Sequence, residues 1–205
     1  MTPLFDTAIL PSGSLAVLPT RPRLPVRLDA AGALRLALLG ATACRLTSLA
    51  RVLDTVNCFT GAAWNPPQEV VLAALQAETA AATILATESW VRSIPFFYTL
   101  TPAGAAAFKT LMRLPLPCPA SPAAPSIAEV KFCLLDFVDS GDAMTAVADL
   151  SDFYLAYRDR VAMLRPDCPG DRPLLDRLHA ERIALAEGRL VTLGEFAPTR
   201  NPAPH

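Results

Sequence analysis

The chain has little of what a metal site or a disulfide framework needs. It contains five cysteines and two histidines, and none of the cysteines forms a C-x-x-C pair. An odd number of widely spaced thiols lacks zinc-ligand spacing and argues against a set of paired disulfides. We therefore expect reduced cysteines that pack as small apolar side chains, no metal site and no cofactor.

Motifs typical of enzymes are also missing. The sequence has no G-x-S-x-G, no P-loop and no histidine in company with a plausible nucleophile. His179 follows Leu178 on an amphipathic stretch, where an interfacial role is expected, and Asp149 and Asp152 fall on a predicted solvated helix face. We predict that the protein is not an enzyme.

Charge is scarce, and long apolar runs are absent. Charged residues make up 18% of the chain and apolar residues 52%, yet no apolar run approaches the roughly 18 residues that a membrane span requires. We expect the surplus apolar surface to lie in a subunit interface and predict no membrane association. Near the N-terminus, Asp6 and the prolines at 3, 11 and 19 are unlike a signal peptide, so we expect a cytoplasmic protein.

The small net charge of −1 conceals an asymmetry. Residues 30–113 carry six basic and four acidic side chains, whereas residues 126–196 carry eight basic and thirteen acidic ones. A nucleic-acid surface, if the protein has one, is therefore expected in the first half.

The first half predicts a compact helical unit. Residues 1–29 are rich in proline, which predicts an extended arm. Asp29 is a candidate N-cap for a first helix, which is predicted to end near Gly40. A second helix is predicted to begin at Thr47 or Ser48, and a third opens at Asn65-Pro66-Pro67.

A β-hairpin and a fourth helix complete this unit. Strands are predicted at Thr83–Ala86 and Ile94–Leu100. Thr101 can then cap a helix that runs from Pro102, which fits the first helical position, to Met112. This order of helices and strands predicts a winged helix-turn-helix domain over residues 30–113.

The second half predicts helices only. Residues 114–125 contain five prolines and are expected to form a stiff, extended linker, which a helix capped by Ser126 follows. Ser140-Gly141-Asp142 is expected to break that helix, and the next carries apolar residues at alternating spacings of three and four. Such a heptad seam is typical of a helix that packs against another long helix. A last helix is predicted from about Pro173 to Gly194. We therefore expect residues 126–196 to form a coiled-coil-like dimerisation domain and residues 197–205 to form a tail.

With these segments placed, the chain resembles the PadR-like transcriptional regulators, in the branch with a virulence-activator-type helical C-terminal domain. The matching elements are LRLALLG (34–40), Trp64, YTLTPAG (98–104), EVKFCLLDF (129–137) and LDRLHAERIALAEGRL (175–190). The resemblance spans residues 30–196. It implies a dimeric DNA-binding regulator of the repressor type, in which a small aromatic effector can bind at the dimer interface.

The third helix departs from that family. Its sequence PQEVVLAALQAE (67–78) carries two glutamates and neither Arg nor Lys, where the family has basic residues and a tyrosine. An alternative hypothesis is therefore a winged-helix dimer that has lost DNA binding and acts as a protein- or small-molecule-binding module.

Candidate DNA contacts follow from the winged-helix interpretation. The third helix would enter the major groove, where Gln68 and Asn65 could read bases, with capping and solvation as the alternative roles. Further candidates are Arg45 and Arg51, which flank the second helix, and Arg92 at the predicted wing tip. In the arm, the candidates are Arg21 and Arg23. For the arm, a strap over the dimer is the alternative.

Two further groups of residues are assigned to partners. Trp64 and Trp90 are candidate ligand contacts, with packing inside the dimer as the alternative. The predicted dimer interface consists of Phe137, Leu150, Tyr154, Tyr157, Val161, Ile183 and Leu190.

Overall fold

A computed structural model describes residues 26–43, 47–61, 64–87, 97–164 and 173–199. These residues form a mainly helical protein with one small antiparallel sheet. The elements are α1 (Ala30–Ala43), β1 (Thr47–Ser48), α2 (Leu49–Thr60), α3 (Gln68–Ala80), β2 (Ile84–Thr87), β3 (Phe97–Leu100), α4 (Pro102–Arg113), α5 (Ala124–Cys133), α6 (Ser140–Met163) and α7 (Pro173–Thr199), with a 3-10 turn at Leu135–Phe137.

The predicted helix starts of the first half are confirmed. Asp29 Oδ1 accepts a hydrogen bond from the Gly32 amide at 2.7 Å, and Thr101 Oγ1 accepts one from the Gly104 amide at 3.0 Å. Both caps satisfy amides that the first helical turn leaves without a backbone partner. Ser48 occupies the cap position of α2, although its side chain makes no capping hydrogen bond.

The sheet contains a strand that was not expected from the sequence. Its order is β1-β3-β2, with Ser48 opposite Phe97 and Ile84 opposite Leu100. β1 is only two residues long, and long-range pairing with β3, not a local alternation of apolar residues, makes it a strand. β2 is shifted by one residue from the predicted strand Thr83–Ala86, and β3 lies within the predicted strand Ile94–Leu100. Residues 88–96 lie outside the described residues.

Three predicted boundaries in the second half are wrong. α5 begins at Ala124, so that Pro125 occupies the first turn and Ser126 is buried inside the helix instead of capping it. The break before α6 lies at residues 134–139, and Ser140-Gly141-Asp142 opens that helix. α7 continues past Gly194 to Thr199, since one exposed glycine costs a helix only about 1 kcal/mol.

α1 also runs beyond its predicted end at Gly40. An added Cβ at Gly40 would collide with the side chain of Leu134, so the glycine lets the segment after α5 pack closely on α1. Leu134 and the α1 leucines belong to one hydrophobic cluster that extends from Leu28 to Leu193. The N-terminal helices and the C-terminal helices therefore share a single core.

Candidate nucleic-acid interface and subunit interface

The exposed face of α3 is almost uncharged. Val71 and Leu75 face the core, and the exposed positions of the helix are Gln68, Glu69, Val70, Ala73, Gln76, Ala77 and Ala80. Glu69 is the one charged side chain in that exposed set. The surface offers amides, small apolar groups and a single negative charge.

The second glutamate of α3 has an internal role. Glu78 is 8% exposed, and its carboxylate lies 2.6 Å from Arg35 Nε of α1 and accepts a hydrogen bond from Thr83 Oγ1 at 2.6 Å. The Arg35 Nε–H is not aligned for a hydrogen bond, so that contact is an ion pair. Glu78 therefore ties α3 to α1 and to the start of the sheet and adds no charge to the exposed face.

The candidate DNA contacts do not all meet at one place. Asn65 and Gln68 share a cleft of about 320 Å³ between α2 and α3 with Asp54 and Asn57. Arg51 lines a different cleft, of about 190 Å³, with Phe59 and Phe137 among its walls. Arg45, Arg92, Arg21 and Arg23 lie outside the described residues.

Two ion pairs join the basic first half of the chain to the acidic second half. Lys109 and Arg113 of α4 pair with Asp139 and Asp142 at the start of α6, the second pair at 2.8 Å. These pairs direct basic side chains of the first half toward acidic side chains of the second. Among the described cations of residues 26–113, Arg27 and Arg51 have no ion pair, and Arg27 donates a hydrogen bond to the backbone carbonyl of Leu116. Few unpaired cations of this part of the chain are therefore available to phosphate.

Of the two tryptophans, Trp64 lies among the described residues. Trp64 is half-buried and packs against the core of its own chain, and its assignment to a ligand or to packing inside a dimer stays a prediction. Trp90 lies outside the described residues.

Three residues of the predicted dimer interface are buried within one chain. Leu150, Tyr154 and Val161 are 0%, 2% and 4% exposed. Because α6 packs along α7 of the same chain, the burial of these side chains needs no second subunit. Their place in a dimer interface stays a prediction.

The other predicted interface residues keep some exposure. Tyr157 stacks on Phe153 with ring centroids 6.1 Å apart, and Ile183 and Leu190 are half-buried on the inner side of α7. Phe137 is 38% exposed and meets Phe59 edge-on at 6.4 Å. These residues mostly contribute to packing within the chain.

A polar network that no sequence pattern indicated joins α5, α6 and α7. Glu129 accepts hydrogen bonds from the Tyr154 hydroxyl at 2.7 Å and from Arg189 Nη2 at 2.6 Å, and the guanidinium lies 4.4 Å above the Phe132 ring. Burial, with the negative charge of Glu129 beside it, raises the pKa of Tyr154. The spacing of apolar residues in a heptad pattern does not indicate that a tyrosine and an arginine bind the same carboxylate.

The exposed surface of α6 and α7 mixes charged and large apolar side chains. Eight large apolar side chains of these helices and their ends are at least 41% exposed: Met144, Leu155, Met163, Leu164, Leu174, Leu178, Leu185 and Val191. Among them, Leu174, Leu178 and Leu185 follow at spacings of four and seven residues and share one face of α7, which makes that face a candidate contact region.

Within the described ranges, no group of three or more His, Cys, Asp and Glu side chains could hold a metal ion. No helix of that part of the chain is long and apolar enough to cross a bilayer. No protein-family model and no curated protein matches the sequence.

Proposed function

We propose that the protein is a winged-helix transcriptional regulator of the PadR-like kind, which acts as a homodimer and binds DNA through α3. The element order carries this proposal. Three helices, with a short β1 between the first two, are followed by β2 and β3, and β1 pairs with β3 at the edge of the sheet. A winged helix has this order, and it presents the outer face of its third helix to the major groove.

In this proposal, uncharged side chains make most of the contacts with the DNA. Gln68, at the start of α3, can pair with an adenine edge through two hydrogen bonds, and Asn65 stands beside it in the same cleft. Arg51 supplies a phosphate contact. Few phosphate contacts predict binding with a shallow salt dependence, since counterion release scales with the number of phosphates neutralised.

The test is fluorescence anisotropy of the purified protein with the DNA upstream of its own gene, in a salt series from about 50 to 200 mM. Asn65→Ala/Gln68→Ala should weaken specific binding at least about tenfold, at about 1–3 kcal/mol per paired base contact, and leave the salt slope unchanged. Arg51→Ala should reduce the slope by about 0.9 for each phosphate that the arginine neutralises. Arg182→Ala, an exposed arginine of α7, is the control and should change neither quantity.

The dimer is proposed to form through the α7 face that carries Leu174, Leu178 and Leu185, since the contact between α6 and α7 is closed within each chain. Leu178→Lys/Leu185→Lys should convert a dimer into a folded monomer in sedimentation velocity, because each lysine would have to be desolvated in the interface. Leu85→Lys alters an equally exposed side chain of β2 and should leave the dimer intact. A double variant that remains dimeric would place the interface elsewhere.

The charge of α3 favours a second candidate function. An exposed face with Glu69 and without a cation offers DNA phosphates no attraction. The same scaffold could then act by binding a protein or a small aromatic molecule. A folded dimer that does not bind DNA at about 50 mM salt would exclude the first candidate and favour this one.

A further inference from the structure

The segment that leaves α4 is held from several directions. Leu114 O accepts a hydrogen bond from Lys131 Nζ at 2.9 Å, and the Leu116 amide donates to Asp149 Oδ2 at 3.2 Å. On the other side, Leu116 O accepts from Arg27 Nη1 at 2.9 Å. Leu116 itself is 3% exposed, so this proline-rich stretch packs against the protein instead of spanning open solvent.

Lys131 is the centre of this arrangement. Its side chain is 1% exposed, and its Nζ lies 2.6 Å from Asp149 Oδ2, whose side chain is 27% exposed. Burial lowers the pKa of Lys131, and the hydrogen bond and charge of Asp149 act in the opposite direction. A buried ion pair of this type adds little net stability, because desolvation offsets the attraction, but it is directional in a way that apolar contacts are not.

The helix that carries Lys131 also carries Glu129, and the two charges hold different elements. Glu129 binds Tyr154 of α6 and Arg189 of α7, while Lys131 binds Asp149 of α6 and the end of α4. α5 in turn packs on α1 and α2. The cations of the pairs between α4 and α6, Lys109 and Arg113, are exposed to solvent, which screens their attraction, so these pairs constrain the helices less than a buried pair does.

We propose that the buried Lys131–Asp149 pair sets the orientation of the α6–α7 pair on the α1–α5 body, and that residues 114–116 are a fixed strap and not a hinge. In each chain α3 is then held at one position relative to α7. A signal that changes the distance between two α3 helices of a dimer must move whole chains or break this pair. The inference concerns one chain and holds whether or not the protein binds DNA.

The test compares an apolar replacement of the pair with the native protein. Lys131→Met/Asp149→Leu removes both charges together, so neither charge is left buried without its partner, and the variant should stay folded. The variant also removes the donor to Leu114 O and the acceptor of the Leu116 amide, so its melting temperature should fall below that of the native protein.

Orientation is measured as the distance between spin labels on unnatural amino acids at the exposed positions 73 in α3 and 192 in α7, with labelled chains diluted in unlabelled protein. The native protein should give one narrow distance, and the double variant a broadened or shifted distribution together with at least about tenfold faster hydrogen exchange at the Leu116 amide. Arg177→Ala/Glu181→Ala, which removes an exposed pair within α7, is the matched control and should give the native distribution. A folded double variant with the native distance distribution would overturn the proposal.

Discussion

Replacing Gly104 by alanine tests a close approach of α4 to the segment that leads into β2. Gly104 is the third residue of α4, and an added Cβ would overlap the carbonyl oxygen of Thr83 and lie 3.0 Å from its carbonyl carbon and 2.7 Å from Leu100 Cδ1. The obstacle is mostly backbone. The same carbonyl also accepts the Thr101 amide at 3.0 Å, so it cannot move without breaking that hydrogen bond.

Two opposing effects set the size of the change. Alanine is favoured over glycine in a helix by roughly 0.5–1 kcal/mol. Forcing a methyl group into a packed site costs about 1–3 kcal/mol, and contact with backbone places this site at the upper end of that range. We expect Gly104→Ala to lower the free energy of unfolding by about 2 kcal/mol, which corresponds to a fall in melting temperature of roughly 4–8 °C for a chain of this length.

Gly141→Ala provides the matched control. Gly141 is the second residue of α6, also in a first turn, and no atom lies within 4 Å of the Cβ position. This substitution should raise the stability by a few tenths to 1 kcal/mol. Thermal unfolding followed by far-UV circular dichroism at one protein concentration measures both. If Gly104→Ala melts at or above the temperature of Gly141→Ala, the contact between α4 and the start of the sheet is looser than these distances require.

Three further outcomes are expected. Gly40→Ala should cost less than Gly104→Ala, because the added methyl meets the movable side-chain end of Leu134 and not backbone; an equal fall in melting temperature would contradict this. Thr101→Val should cost about 1 kcal/mol in denaturant unfolding because the α4 cap is removed, whereas Thr101→Ser should cost clearly less. In an alkaline absorbance titration of the folded protein, Tyr154→Phe should leave the phenolate signal near pH 10 unchanged, because the raised pKa keeps Tyr154 protonated there. The stability that Tyr154 contributes is present below the ordinary phenol pKa and declines as the pH rises toward the folded-state value, so the native protein and Tyr154→Phe should converge in stability above about pH 10.

Local chemistry in the sequence was sufficient to locate most helices. Asp29 and Thr101 are short polar side chains just before apolar helical patterns, and each caps a helix because its partner is an amide three residues away. Interactions over such short distances depend little on the rest of the fold. The PadR-like family assignment, DNA binding and the dimer remain predictions.

One element that the sequence did not indicate has a tertiary cause. β1 exists because Ser48 meets Phe97 from a distant part of the chain. Leu150, Tyr154 and Val161 were correctly expected to be apolar contacts of a long helix, but spacing along one helix cannot say whether its partner belongs to the same chain.

The order of residues alone was enough to show where the helices of the first half begin and that α3 carries no Lys or Arg. Three other features depend on the packed fold: Glu78 is turned inward to Arg35, Lys109 and Arg113 are paired with α6, and Lys131 is buried beside Asp149. The difference arises because helix propensity and capping act within a few residues, whereas the partner of a charge is whichever side chain the fold brings within a few ångströms.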